Sequence, residues 1–265
     1  LFPVTATVLA IDTATEACSA ALHCGGTVRR RFEIAPRRHN TLIFEMCESL
    51  FEETGAGLGD LDAIVFGRGP GAFTGVRIAA SFAQGVGYAR GLPVVPVSDL
   101  RAVAQAAMER HNAASALVAM DARMGEVYYG CFRRGEDGLA APAGDEGVAP
   151  PEQVPVAAGF RGICAGSAWR VHRDALNKAL GNALEKAQAM APGTTPERAL
   201  EGAPGTMPER ALEGVPGGAA RICDEDLLPD AAVMLQLALP VIIAGDANAI
   251  VEAANALPIY LRSPV

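Results

Sequence analysis

The sequence predicts an α/β protein of two weakly similar halves, each a mixed sheet with helices packed on it. Three observations carry that expectation. Strand-type and helix-type patterns follow one another as βββαβαβα through residue 109, an order that packs helices on a sheet with both antiparallel and parallel neighbours. A second unit then opens as the first does, with an apolar run ending in Asp, a turn and an alternating strand. Half of the chain is apolar but only 5% is aromatic, and alanine dominates the apolar set, which suits closely packed helices better than bulky anchors. At 265 residues the chain has room for one large domain or two small ones.

Residues 8–12 are a short apolar run closed by Asp12, and residues 19–23 and 27–32 alternate after it. Turns at 13–16 and at Gly25-Gly26 make this opening an antiparallel meander of three strands. Asn40 then begins a helix to about Thr54, whose apolar residues Leu42, Ile43, Phe44, Met46, Cys47, Leu50 and Phe51 cover more than one face. A buried-type strand at 61–66 leads into a glycine-rich turn at 67–75 and a helix to about Arg90. A strand at 93–97 and an amphipathic helix at 100–109 complete the first half. The second half restarts with a strand at 115–121, the turn Arg123-Met124-Gly125 and an alternating strand at 126–133. Terminal helices are expected at 229–244 and 247–255, with a short strand or tail at 259–262. The two lobes are therefore assigned to 1–106 and 107–265. Residues 191–218 repeat with a period of twelve, from Pro192 and again from Pro204, and glycine stops each copy after barely one helical turn. The repeat reads as a surface insertion remote from any chemistry.

Charge and cysteine usage exclude several function classes. The 22 basic and 30 acidic residues give a net charge of −8, a poor balance for holding phosphate backbones unaided. Residues 29–38 run the other way, with Arg29, Arg30, Arg31, Arg37 and Arg38 against Glu33. The six cysteines form no C-x-x-C pair and none stands at metal-ligand spacing from a histidine, so neither a zinc site nor a redox dithiol is expected. The longest apolar run, 235–245, contains Pro240 and falls short of the ~20 residues that span a bilayer. With no basic leader, the expectation is a cytoplasmic protein with reduced thiols and no membrane contact.

The sharpest local feature is the run from Gly67 to Arg77, placed between a strand and a helix where amide groups and the helix dipole suit an anion. It is neither a Walker A loop, for no Lys follows Gly75, nor a dinucleotide fingerprint, for its glycines at 69, 71 and 75 are spaced two and four apart. The other reading is a tight turn that lets the next helix approach its neighbours. Within that helix Gly75, Ala79, Ala83 and Gly87 recur every four residues as a stripe of tiny side chains. Together with Leu42, Ile43, Met46 and Leu50 of the preceding helix, the stripe is assigned to a protein interface, the alternative being burial within this subunit.

Asp12 and Asp121 each end a strand before a turn, the position at which acids hold Mg-nucleotide in sugar kinases and actin-like ATPases. The residues after them, Thr13-Ala14-Thr15 and Ala122-Arg123-Met124, lack the glycines that let a backbone wrap phosphates. Asp12, Thr13 and Asp121 are thus read as a degenerate nucleotide site in which the acids cap turns. No nucleophile–base pair stands out. His39 has no second histidine three or four residues on, and Ser98 and Ser167 lie in no G-x-S-x-G elbow. No catalytic residue, cofactor or metal is expected.

At these residues the chain resembles the TsaB family, also called YeaZ. The matching segments are 9–22, Gly-Pro-Gly-Ala-Phe-Thr-Gly-Val-Arg-Ile at 69–78, 93–98, Asp-Ala-Arg-Met-Gly-Glu-Val-Tyr at 121–128, and Tyr260-Leu-Arg262. They are spread in order over nearly the whole chain, and the 191–218 repeat departs from the pattern. The resemblance implies an actin/Hsp70-like (ASKHA) fold of two related lobes. It implies a non-catalytic subunit that binds and stabilises a TsaD-type catalytic subunit, joined by a TsaE-type ATPase. That assembly transfers a threonylcarbamoyl group to N6 of adenosine 37 (t6A) in tRNAs reading codons that begin with A, and tRNA is met only through the complex. The catalytic subunit's His-x-x-x-His metal motif is missing after His39, which precedes Asn40, Thr41, Leu42 and Ile43. The resemblance also suggests that helices 40–54 and 74–90 pair with the partner; an apolar face rarely stays bare, so self-association of the chain alone, as a homodimer through the same face, is a further expectation. A degenerate kinase-like or glycoprotease-like enzyme of the same fold is the competing expectation.

Overall fold

A computed structural model describes residues 6–157, 160–190 and 223–262. The repeat at 191–218 lies outside the described residues.

The opening meander forms as β1 (Val8–Asp12), β2 (Ala17–Cys24) and β3 (Thr27–Ile34), antiparallel throughout. Helix α1 (His39–Thr54) crosses to β4 (Ala63–Gly67), and α2 (Phe73–Arg90) crosses to β5 (Val94–Val97), both strands running parallel to β1. Gly55 and Gly91 end the two helices in the left-handed conformation that only glycine adopts without cost. The resulting sheet has the order β3-β2-β1-β4-β5. Helix α3 (Asp99–Arg110) follows, with the Ser98 hydroxyl accepting the Arg101 N–H as its N-cap.

The second sheet repeats the plan. Strand β6 (Ser115–Asp121) pairs antiparallel with β7 (Val127–Arg134) through the Arg123-Met124-Gly125 turn, where all three residues have positive φ. On its other side β6 runs parallel to β10 (Ile163–Ala165), which pairs with β11 (Cys223–Asp224). Strands β8 (Ala140–Pro142) and β9 (Gly147–Ala149) both pair with β7. Helices α4 (Ala168–Val171) and α5 (Arg173–Met190) follow β10, and α6 (Ala231–Ala244) follows β11. Each half thus sets an antiparallel neighbour on one side of its first strand and a parallel one on the other, the structural form of the echo in the sequence.

Strand alternation sorts the side chains into layers. Val8, Ala10 and Val65 face a core shared with α3 and α6, while Leu9, Ile11, Ile64 and Phe66 face α1 and α2. In the second sheet Ala116, Val118 and Met120 join that same shared core, and Leu117 and Ala119 face α4 and α5. The stack is α1/α2, first sheet, α3/α6, second sheet, α4/α5. Within its middle layer the chain crosses over. Helix α3, which follows the first sheet in sequence, packs on β6, β7, β8 and β10, and α6, late in the chain, packs on β1, β2, β4 and β5.

The C-terminal expectations need correction. Residues 247–255 are not a helix: Val251 forms an antiparallel bridge with Val94, and one 3₁₀ turn follows at Ala253–Asn255. Residues 259–262 form no strand but cross between the lobes. Ile259 N–H donates to the Arg68 carbonyl at 2.7 Å, and Arg262 reaches the carbonyls of Ala122 and Arg123 and the Glu126 carboxylate.

Candidate docking face beside the Asp12 turn

At the end of β1 the glycine-rich run lies directly on the turn that follows Asp12. Ala72 N–H donates to the Ala14 carbonyl at 2.7 Å, and the Thr13 hydroxyl donates to the Gly75 carbonyl at 2.7 Å. A Cβ on Gly71 would strike the Ala14 carbonyl, and one on Gly75 would strike that of Thr13. These glycines therefore serve the close approach of two backbones, and the second of the two sequence readings of the loop is the one observed.

Asp12 is fully buried, and its Oδ1 accepts the Ala14 N–H at 3.0 Å. Beside it stands Asp99, the first residue of α3, also fully buried, whose Oδ2 accepts the Gly69 N–H at 2.5 Å. Gly67 covers both, since a Cβ there would meet the two carboxyl groups. Burial first, and the charge of Asp12 next, hold the Asp99 carboxyl well above the usual carboxylate range. Burial also raises Asp12, while hydrogen bonds from Asp99 and from the Ala14 and Thr13 backbone oppose that rise. Asp12 Oδ2 and Asp99 Oδ1 are buried without another hydrogen-bond partner among the described residues, an arrangement that favours a protonated Asp99 beside an ionised Asp12. Sequence reasoning missed Asp99, whose only local signal is that of an acid in the first turn of a helix.

Asp121 occupies the equivalent strand end in different surroundings. It is partly exposed, its Oδ1 accepts the Arg123 N–H at 3.0 Å, and His172 Nε2 lies 3.8 Å away. The turn-capping role expected of it is the one it makes. Asp12 and Asp121 have no common partner among the described residues. No group of three or more His, Cys, Asp or Glu side chains is placed to hold a metal among the described residues. Cys18, Cys24, Cys47 and Cys131 are free thiols, and burial pushes Cys18 and Cys47 up to about 12. No described helix is long and apolar enough to cross a membrane.

The interface residues expected from the sequence require a correction. Leu42, Ile43, Met46, Leu50, Gly75, Ala79, Ala83 and Gly87 are all buried within the subunit. The small-residue stripe of α2 faces its own sheet: a Cβ on Gly87 would come within 2.9 Å of Val94 Cγ2. Likewise the residues at 42, 43, 46 and 50 turn one face of α1 toward β2 and the same core. What the two helices leave to solvent is their other side. Phe44 is 60% exposed and Phe73 58%. Between the helices runs an open groove of about 520 Å³, lined by Asn40, Phe44, Phe73, Thr74, Arg77, Ile78, Ser81 and Phe82. At one end the Phe44 and Phe82 rings stand 5.1 Å apart, and at the other Phe73 stacks with Tyr260 at 5.6 Å. Soluble proteins rarely leave aromatic side chains grouped in this way on a bare surface. Phe44 was visible in the sequence as part of the surplus that made α1 apolar beyond one face.

A family model described as TsaD, tRNA N6-adenosine threonylcarbamoyltransferase, matches residues 24–155. The tRNA threonylcarbamoyladenosine biosynthesis protein TsaB of Escherichia coli (strain K12) is 40% identical over 188 residues, covering 70% of this chain and 81% of the relative. The chain belongs to the TsaB family. The TsaB of Haemophilus influenzae is 50% identical over 123 residues, 46% of this chain and 52% of that protein. Among solved structures, YeaZ from Pseudomonas aeruginosa is 36% identical with a TM-score of 0.74, covering 97% of this chain and all of its own. A second Pseudomonas aeruginosa structure, described by its similarity to peptidase YEAZ, is 37% identical with a TM-score of 0.76 over the same shares. The TsaB assignment and the two-lobed actin-like fold, both expected from the resemblance, therefore hold.

Proposed function

We propose that this chain is a non-catalytic subunit of the machinery that places threonylcarbamoyl on N6 of adenosine 37 in tRNA, acting by docking on a TsaD-type catalytic subunit. The exposed aromatic groove between α1 and α2 carries this reading, because it offers the surface a partner needs. Membership of the TsaB family supports the pathway, since its relatives are named for threonylcarbamoyladenosine biosynthesis. In this reading the TsaE-type ATPase joins the pair, tRNA is engaged only through the assembly, and the site of action is the cytoplasm. Alone, the chain covers the same groove with a second copy.

Co-purification with the catalytic subunit from the same source, followed by a threonylcarbamoylation assay with and without this chain, tests the proposal. Binding together with dependence of activity on the chain is the expected result. A catalytic subunit equally active and stable without it would overturn the reading.

A further inference from the structure

We infer that the groove between α1 and α2 selects a partner helix by a carboxylate, and that Arg77 is the residue that reads it. This rests on the docking proposal above and specifies the chemistry of the occupant.

Arg77 is the one charged side chain among the described residues that line the groove. It is exposed, yet it is restrained on two sides. Its guanidinium lies 3.8 Å over the Phe73 ring, and its Nε donates to the Tyr260 hydroxyl at 2.7 Å. An arginine usually gives up much rotamer freedom on binding, and here that freedom is already reduced. The two terminal nitrogens make no hydrogen bond or ion pair with the described residues, so their planar fork is left for a carboxylate. Several other arginines of this lobe pair with acids: Arg29 and Arg31 with Glu53, Arg30 with Asp230 and Arg38 with Glu33. Arg77 differs in being fixed by aromatic rings without an acid.

The rest of the groove sets what the carboxylate is attached to. From Phe73 to Phe82 the face spans ten residues of α2, about 13 Å or two and a half turns, enough to seat a short helix. The Phe44–Phe82 end takes an apolar side chain and the Phe73–Tyr260 end takes the acid. A single cation flanked by aromatic rings suits a protein carboxylate rather than a nucleic-acid backbone, which calls for clustered cations.

Calorimetric titration of the full chain with the purified catalytic subunit, at low and high salt, tests the inference. Arg77→Gln is expected to weaken binding at least tenfold and to reduce the salt dependence, and Arg77→Glu to weaken it further. Reversing one acid of the catalytic subunit to lysine should restore binding to Arg77→Glu alone. Both variants should melt as the parent does, since Arg77 is exposed. If Arg77→Glu binds as the parent does while Phe44→Ala binds poorly, the carboxylate inference fails and the docking reading stands. If the parent itself does not bind, both fail. If Arg77→Glu instead disrupts only self-association, the acid belongs to a second copy and the inference is overturned.

Discussion

Burial and the neighbouring Asp12 charge raise the Asp99 carboxyl, and this makes stability depend on pH. Its carboxyl is raised in the folded state and returns to about 3.9 on unfolding. The native protein therefore binds more protons above that value, so the contribution is complete in acid and is lost as pH rises through the folded pKa. Melting temperature measured upward from pH 4 should show a falling component from this group. Asp99→Asn should remove it, because an amide can donate to Asp12 and still accept the Gly69 N–H. A slope unchanged by the substitution would show that the proton lies elsewhere. At Gly75 the test is steric. Gly75→Ala places a methyl group against the Thr13 carbonyl and is expected to cost about 1–3 kcal/mol in denaturant unfolding.

The two sides of α2 separate at the level of the helix. Ala83→Leu enlarges a fully buried side chain against the first sheet and should cost about 1–3 kcal/mol of stability whether or not a partner is present. Phe44→Ala, on the exposed side of the neighbouring helix, should leave the melting temperature nearly unchanged while weakening co-purification. Measuring both properties on both variants distinguishes a face used for packing from one used for docking. The sequence located these helices to within a residue or so, because their apolar periodicity and terminal glycines are local signals. Which side of α2 faced inward was not legible: a four-residue repeat of small side chains fits a sheet and a foreign helix equally well. Strands β8, β9 and β10 were also missed, at three residues each too short for alternation to register. Asp99 was hidden for another reason, since its role exists only once the start of α3 meets the glycine-rich run.

At the scale of the whole molecule, the middle layer binds the halves together. The inner face of the first sheet, including Val8, Ala10, Val65, Val95 and Val97, is covered by α6 from the far end of the chain. The 106/107 boundary cuts α3, so residues 1–106 expressed alone should consequently fail to reach a cooperative fold, and residues 107–265 should fail without the first two turns of that helix. Mixing the two fragments should restore one transition, followed by circular dichroism during heating. Independent cooperative melting of either fragment would refute that dependence.

The crossing of α3 and α6 also has a consequence during synthesis. The last strand of the first sheet ends at Val97 and α6 ends at Ala244, so about 150 further residues are made before that sheet can be covered. At ~5–20 residues per second, a nascent chain waits roughly 7–30 s with an apolar sheet face unsealed. For that interval the emerging polypeptide is a client for ribosome-associated chaperones, and slow translation of its second half lengthens the exposure.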